Sequence, residues 1–203
     1  MINVYDFIQA LNEASQENDI INPSASGTTC QMILQTWKLK KGQRFCTNFV
    51  LGEMGAGLPY SIGAALATGK RVIHIEGDGG FQLNIQELET IRRLNLPIII
   101  FVINNNGYHS IRLSQQKAFG RLTGADDTSG LTLPSLEKVA GAYNIDFGWI
   151  GEMPKVMVWG DIFITKSPCI IEIHADLNQQ FKHRVKSKMV DGKMTTAPMN
   201  EVD

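Results

Sequence analysis

The chain has 203 residues, with 43% hydrophobic and 19% charged side chains and a formal net charge of -1. That length can bury one large core, and the balance excludes a disordered chain. The near-neutral charge excludes a polybasic surface for nucleic acid or membrane, and the longest strongly apolar run, residues 97–103, is too short to span a bilayer.

Short β-branched runs alternate with longer helical patterns along the chain. In order, the pattern predicts a helix over 4–15, a strand over 19–22, a helix over 29–39 and a strand over 44–47. It continues with a helix over 58–68, a strand over 71–75, a helix over 85–95 and a strand over 97–103. A helix over 135–143 and strands over 146–150 and 168–174 complete the series. Runs such as PIIIFVI and PCIIEI are apolar without alternation, as in parallel strands covered on both faces. The alternation predicts an α/β fold, doubly wound, with a mostly parallel sheet and helices on both faces.

The helix at 85–95 carries a start signal: Asn84 is placed to cap its first turn and Glu87 to complete a capping box. Ile85, Leu88, Ile91 and Leu94 should then share its inner face. The glycine-rich stretch 114–133 reads as a long loop or short helix over a site. Residues 1–175 are expected to form one domain. Residues 176–203, polar and turn-rich, are expected to be an extended C-terminal arm. The N-terminus has no basic signal-peptide start. Cys30, Cys46 and Cys169 form no CxxC pair and fit free thiols in a reducing compartment, so a soluble cytoplasmic protein is expected.

In open α/β sheets, ligands bind outside the carboxyl ends of the strands. Four such segments are PSASGTT (23–29), NFVLGEMGAGLP (48–59), GDGG (77–80) and NNNGY (104–108). They supply glycine backbone, hydroxyls and helix starts, the groups that receive a phosphate. Asp78 and Asn105 would end adjacent strands, and a carboxylate with an amide oxygen suits a hard cation such as magnesium, which leaves room for phosphate oxygens. A diphosphate with magnesium at a sheet switch point is the reading these residues support. The chain has neither GxxxxGK[ST] nor GxGxxG with a following acidic strand end, which counts against a nucleotide-binding protein.

The stretch GDGGFQLNIQELETIRRLNLPIIIFVINNNGY resembles the thiamine diphosphate signature, GDG followed some two dozen residues later by NN. VLGEMGAGLPYSIGAALA and GYHSIRLSQ resemble the segments before and after it in the acetolactate synthase group of thiamine enzymes. The resemblance runs from about Val4 to the DGKMTTAP tail. It implies the C-terminal, diphosphate-binding domain of a thiamine diphosphate-dependent enzyme. Asp78 and Asn105 would give side-chain oxygens, and Gly107 a carbonyl, to Mg2+. Gly27, Thr28, Thr29, Gly79, Gly80 and Tyr108 would surround the diphosphate. The Gly52 carbonyl would accept from the cofactor's amino group, and Met54 would wedge beneath the bent cofactor, which serves as electron sink for a 2-oxo acid.

The resemblance also implies a partner. The glutamate that activates the pyrimidine ring comes from a separate pyrimidine-binding domain, and no such domain fits between Met1 and the first motif. A second polypeptide or a longer parent chain, and an oligomer, are therefore expected, with this chain alone inactive. Glu53 is read as a loop carboxylate facing solvent or a partner, Glu76 as a strand-end acid that satisfies local backbone donors or an ion pair, and Glu87 as a cap. His109 is either an acid–base group or a helix-start surface histidine, and Arg112 either a substrate-carboxylate ligand or a structural ion pair. His74 and His174 are read as core or edge residues, and His183 as part of a solvated basic stretch. At Ser114, acetolactate synthases usually carry a tryptophan that shapes the acceptor pocket, so the acetolactate reaction does not follow. A sulfopyruvate-decarboxylase-like small subunit and a non-catalytic cofactor-binding module are the alternatives.

Overall fold

The computed structural model of the protein describes residues 1–152, 167–182, 187–190 and 193–196. The six expected strands all form: β1 (Ile20–Asn22), β2 (Arg44–Phe45), β3 (Val72–Gly77), β4 (Ile98–Asn104), β5 (Asp146–Ile150) and β6 (Cys169–His174). They make one parallel sheet in the order β2-β1-β3-β4-β6-β5. The helices are α1 (Val4–Ala14), α2 (Gly27–Thr36), α3 (Gly57–Thr68), α4 (Asp78–Phe81), α5 (Glu87–Arg93), α6 (His109–Phe119) and α7 (Leu136–Ala142).

The apolar strands read as continuous runs because both sheet faces are covered. Ile21, Ile73, Ile75, Ile99, Phe101, Ile103, Ile171 and Ile173 point to the layer formed by α1 and α2. The alternate residues Ile20, Val72, Ile98, Ile100, Val102 and Ile170 point to α3, α5 and α7. A strand with solvent on neither face has no position where a polar residue is favoured, so its period-2 signal disappears. α1 keeps its signal because only one stripe is buried. Val4, Phe7, Ile8 and Leu11 face the sheet, and the Asn3 side chain caps the first turn by accepting from the Tyr5 amide at 2.9 Å.

The chain leaves β1 through α2 to reach β2, then returns through α3 to β3 on the other side of β1. The switch point of the sheet therefore lies between β1 and β3. Beyond β6 the chain folds back on the start of α1: the Asp176 amide donates to the Ile2 carbonyl, and Gln179 Oε1 accepts from the Val4 amide at 2.9 Å. Further on, β7 (Ser187–Val190) and β8 (Lys193–Thr196) pair antiparallel, where the sequence reading has only an extended arm. His183 lies outside the described residues.

Three local expectations are corrected. Asn84 does not cap a helix at 85. A 3-10 turn covers Gln82–Asn84, α5 starts at Glu87, and the Asn84 amide instead donates to the Gly55 carbonyl at 2.9 Å. A tertiary carbonyl won over the local cap. Glu87 accordingly closes no box and is a first-turn acid at a helix start. Of the proposed inner face, Leu88 and Ile91 are fully buried, Ile85 is partly buried and Leu94 is exposed. In the 114–133 stretch, read as a loop or short helix, α6 runs to Phe119, so residues 114–119 are helical, and the helix stops at Gly120 in the left-handed region.

Among the described residues, no helix is long and apolar enough to cross a membrane. Phe101 is completely buried at the centre of the sheet and meets Phe7 edge-to-face at 5.6 Å between ring centroids. Phe101→Ala should cost about 3–5 kcal/mol in urea denaturation, the range for deleting a buried aromatic. Burial pushes the Cys30 and Cys169 thiols up to about 11. At pH 8 only about one in a thousand of each is thiolate, so native protein should alkylate first at half-buried Cys46, with the other two reacting only after denaturation.

Candidate functional site

The site is assembled at the switch point from the ends of β1, β3 and β4. Ser24, Gly27, Thr28 and Thr29 from the first segment, Met54 from the second, Gly79 and Gly80 from the third, and Asn105, Gly107, Tyr108 and His109 from the fourth line one open cleft of about 50 Å³. Gly52 lies beside it, with its α-carbon side toward the Ala25 carbonyl and Ser26. The sequence-predicted residues thus come together. The cleft is far smaller than the ~300–1,000 Å³ of an enclosed small-molecule site, and it has the form of one wall.

Asp78, the first residue after β3, is 3% exposed. Its Oδ1 accepts from the Gly79 amide at 2.8 Å and its Oδ2 from the Gly107 amide at 2.9 Å. Burial pushes the carboxyl up to about 6, against the opposing pull of those two amides and of the Arg112 charge. A cation beside it would favour the ionised form. Asn105 is 7% exposed, and its Oδ1 is buried with no hydrogen-bond partner. A buried amide oxygen without a donor costs about 1–3 kcal/mol, so an acceptor left open next to a buried carboxylate is the donor set a hard cation completes.

The remaining wall is positive by construction. The first turn of α2 carries Gly27, Thr28 and Thr29, and that of α6 follows Tyr108. Neither helix start has a side-chain cap or an acidic residue. Their free amides and dipoles favour an anion. The glycines of GDGG have further tasks: a β-carbon at Gly79 would lie 2.3 Å from the Tyr108 ring, and one at Gly80 would lie 2.7 Å from Glu76 Oε1. Here the absent side chains make room for protein atoms as well as for any ligand on the backbone.

Glu76 takes the ion-pair alternative. It is 1% exposed, accepts from the Ser24 hydroxyl at 2.9 Å and pairs with His74 Nε2 at 3.0 Å. Asn22 works beside it, donating to the Gly57 carbonyl at 2.8 Å and to Ser61 Oγ at 2.9 Å while accepting from the Ser24 amide. These two side chains hold the β1 loop, in which Ser24 has a positive φ of 61°, against α3 and β3. Ser24 in the left-handed region is held by one near partner, Asn22, and one distant partner, Glu76, and only the first lies within reach of a sequence reading.

His109 is not a surface histidine. It is 5% exposed, with Nδ1 3.1 Å from Thr28 Oγ1 and Nε2 buried without a partner in hydrogen-bonding geometry. Burial, then the Arg112 charge, pushes the imidazole down to about 4, so it is neutral near pH 7. Arg112 makes an intramolecular network rather than facing open solvent, donating to the Asn105 and Asn106 carbonyls. Glu53 does not face outward freely: Tyr60 and Asn48 donate to its Oε1, and the Tyr60 hydroxyl above all holds its carboxyl below the usual range. Its Oε2 is buried without a partner. Ser114 is exposed on α6 and donates back to the Ser110 carbonyl. His174, half-exposed, stacks on Trp149 at the sheet edge.

A parallel, doubly wound sheet with a phosphate-type cleft at its switch point defines an α/β cofactor-binding domain. The family described as thiamine pyrophosphate enzyme, C-terminal TPP binding domain, matches residues 25–159, more than half of the chain, and the chain belongs to that family. Acetolactate synthase 2, chloroplastic, of Brassica napus is 42% identical over 99 residues, which cover 48% of this chain and 15% of that protein. The acetolactate synthase large subunit of Porphyra purpurea is 40% identical over 107 residues, covering 52% of this chain and 18% of its own length. The chain therefore matches less than a fifth of the length of these relatives.

Gly107 has a φ of 123°, and a β-carbon there would lie 2.4 Å from the Ala125 carbonyl oxygen. Gly120 also has a positive φ but open space around it. In urea denaturation Gly120→Ala should cost about 1–2 kcal/mol, the left-handed penalty alone. Gly107→Ala should cost more, because backbone must also move.

Proposed function

We propose that this chain is the diphosphate- and magnesium-binding half of a thiamine diphosphate-dependent 2-oxo acid decarboxylase or carboligase, completed by a pyrimidine-binding domain or subunit. The observation that carries this reading is the unpartnered, buried Asn105 Oδ1 at the end of the strand next to that of buried Asp78. Asp78 and Asn105 would hold Mg2+ with their side-chain oxygens, and Gly107 with its carbonyl. Gly27, Thr28, Thr29, Gly79, Gly80 and Tyr108 would receive the diphosphate at the two helix starts. The Gly52 carbonyl would fix the cofactor's amino group by accepting from it, and Met54 would support the bend of the cofactor. When bound, thiamine diphosphate supplies an electron sink for the carbon skeleton of a 2-oxo acid.

The partner half is supported by what surrounds the cleft. Phe49, Val50 and Leu51 are 61%, 81% and 78% exposed, and Met54 is 42% exposed beside them. A consecutive apolar run of this kind at the rim of an open cleft fits burial against a second domain, which would also bring the activating glutamate. An assembled oligomer follows, because the cofactor would lie between the two halves. Three free cysteines support a reducing compartment such as the cytoplasm.

Calorimetric titration of thiamine diphosphate, with and without Mg2+, tests the reading. Wild-type chain, alone or with a pyrimidine-binding partner, should bind in a magnesium-dependent manner, and Asp78→Ala should lose that dependence. Absence of magnesium-dependent binding in both settings overturns it. Binding in the completed assembly without consumption of any 2-oxo acid favours a non-catalytic cofactor-binding module.

A further inference from the structure

The loop that follows β4 is built against its own preferences. Asn106 has a φ of 59° and Gly107 one of 123°, so two successive residues sit in the left-handed region. For an asparagine this is tolerable only when neighbours hold it. The Asn104 side chain accepts from the Asn106 amide at 3.0 Å, and Asp78 accepts from the Gly107 amide. Those contacts fix the amides. Each of these amides shares a rigid peptide plane with the carbonyl before it, so donors on the Asn105 and Asn106 carbonyls hold the same two planes from their other ends.

Arg112, one turn into α6, supplies that hold. Its Nη2 donates to the Asn105 carbonyl at 2.7 Å and its Nη1 to the Asn106 carbonyl at 3.0 Å. A guanidinium has a rigid fork of donors, whereas a lysine ammonium at the same place is a single point. Arg112 is itself oriented by Asp126, whose Oδ2 is 4.0 Å from Nε, an ion pair without a hydrogen bond. Asp126 Oδ1 accepts from Ser129 and Thr128 at 2.8 Å, and the preceding Ala125 carbonyl accepts from the Tyr108 amide at 2.8 Å. The turn at 125–129 and the guanidinium therefore hold the loop together.

We infer that Arg112, oriented by Asp126, is a positioning residue that fixes the 105–107 loop in the shape that leaves Asn105 Oδ1 and the Gly107 carbonyl free for a cation. The cation part of this inference rests on the thiamine diphosphate–magnesium reading. The loop part does not. Arg112 and Asp126 also line a cavity of about 690 Å³ that shares Asn105 and His109 with the cleft, so a shortened side chain at 112 leaves space that opens into this cavity.

The test is amide hydrogen exchange by NMR on the full chain without ligand. In Arg112→Ala the Gly107 and Tyr108 amides should exchange at least about tenfold faster, the scale of losing one charge-assisted hydrogen bond, while amides of β4 keep their protection. Millimolar guanidinium should restore part of that protection, and Arg112→Lys should restore less, because it cannot span two carbonyls. Asp126→Asn should shift the same two amides in the same direction by a smaller factor, and it serves if the alanine variant fails to fold. In parallel, the Mg2+ concentration that half-saturates thiamine diphosphate binding should rise about tenfold in Arg112→Ala. Unchanged exchange at Gly107 and Tyr108 overturns the inference. Faster exchange with unchanged Mg2+ half-saturation overturns its cation part. A wild-type chain that ignores Mg2+, even with its partner, overturns the cofactor reading and that same part, and faster exchange then supports the loop role alone.

Discussion

The Asp78 carboxylate, with one oxygen on the Gly79 amide and the other on the Gly107 amide, is the constraint on which the site depends. It ties the turn after β3 to the loop after β4 and sets their spacing. A carboxylate buried this deeply is expensive to ionise, and only fixed donors lower that expense. The same two amides that hold it orient the backbone on both sides of the cleft. The structural role and the proposed cation-binding role would thus fall on one side chain.

Around that centre, the polar groups divide into those with partners and those without. Asn22, Ser24, His74 and Glu76 bond one another at the β1 side of the cleft and hold the β1 loop and α3 start, although His74 Nδ1 keeps no partner. Asn105 Oδ1 has no partner, and no side chain caps the starts of α2 and α6. Folded proteins rarely leave buried polar atoms unpaired, and the exceptions mark places where a ligand supplies the partner. The unpaired Asn105 Oδ1 and the two uncapped helix starts are what the proposed ligand would meet in this cleft. Its openness, together with the exposed apolar rim at Phe49–Leu51, fits a site that closes only when a second domain packs on it.

The fold was legible because strand and helix periods are local properties. All six parallel strands could be placed from apolar runs bounded by turns, and the order of motifs at the strand ends located the cleft. The failures have a common cause. Asn84 carries a good cap signal but gives its amide to the Gly55 carbonyl, 29 positions away. Glu76 has an ion pair, as its sequence position allows, but its second partner, Ser24, lies 52 positions away. His109 reads as a helix-start residue, yet the packing of α6 against α2 buries it on Thr28. Each is decided by a contact with no sequence neighbour to announce it.

By itself, the sequence determined the doubly wound α/β architecture, the four strand-end segments that form the cleft, and the family through GDG and the spaced NN. These follow from periodicity and from short motifs whose chemistry is carried by adjacent residues. Only the tertiary structure decided which polar atoms are satisfied. It showed that Asn105 keeps a free oxygen while Glu76 does not, that Glu53 turns to Tyr60, and that Arg112 grips two carbonyls of the loop before it. A hydrogen-bond partner is fixed by where distant segments meet, and that meeting is a property of the packed chain.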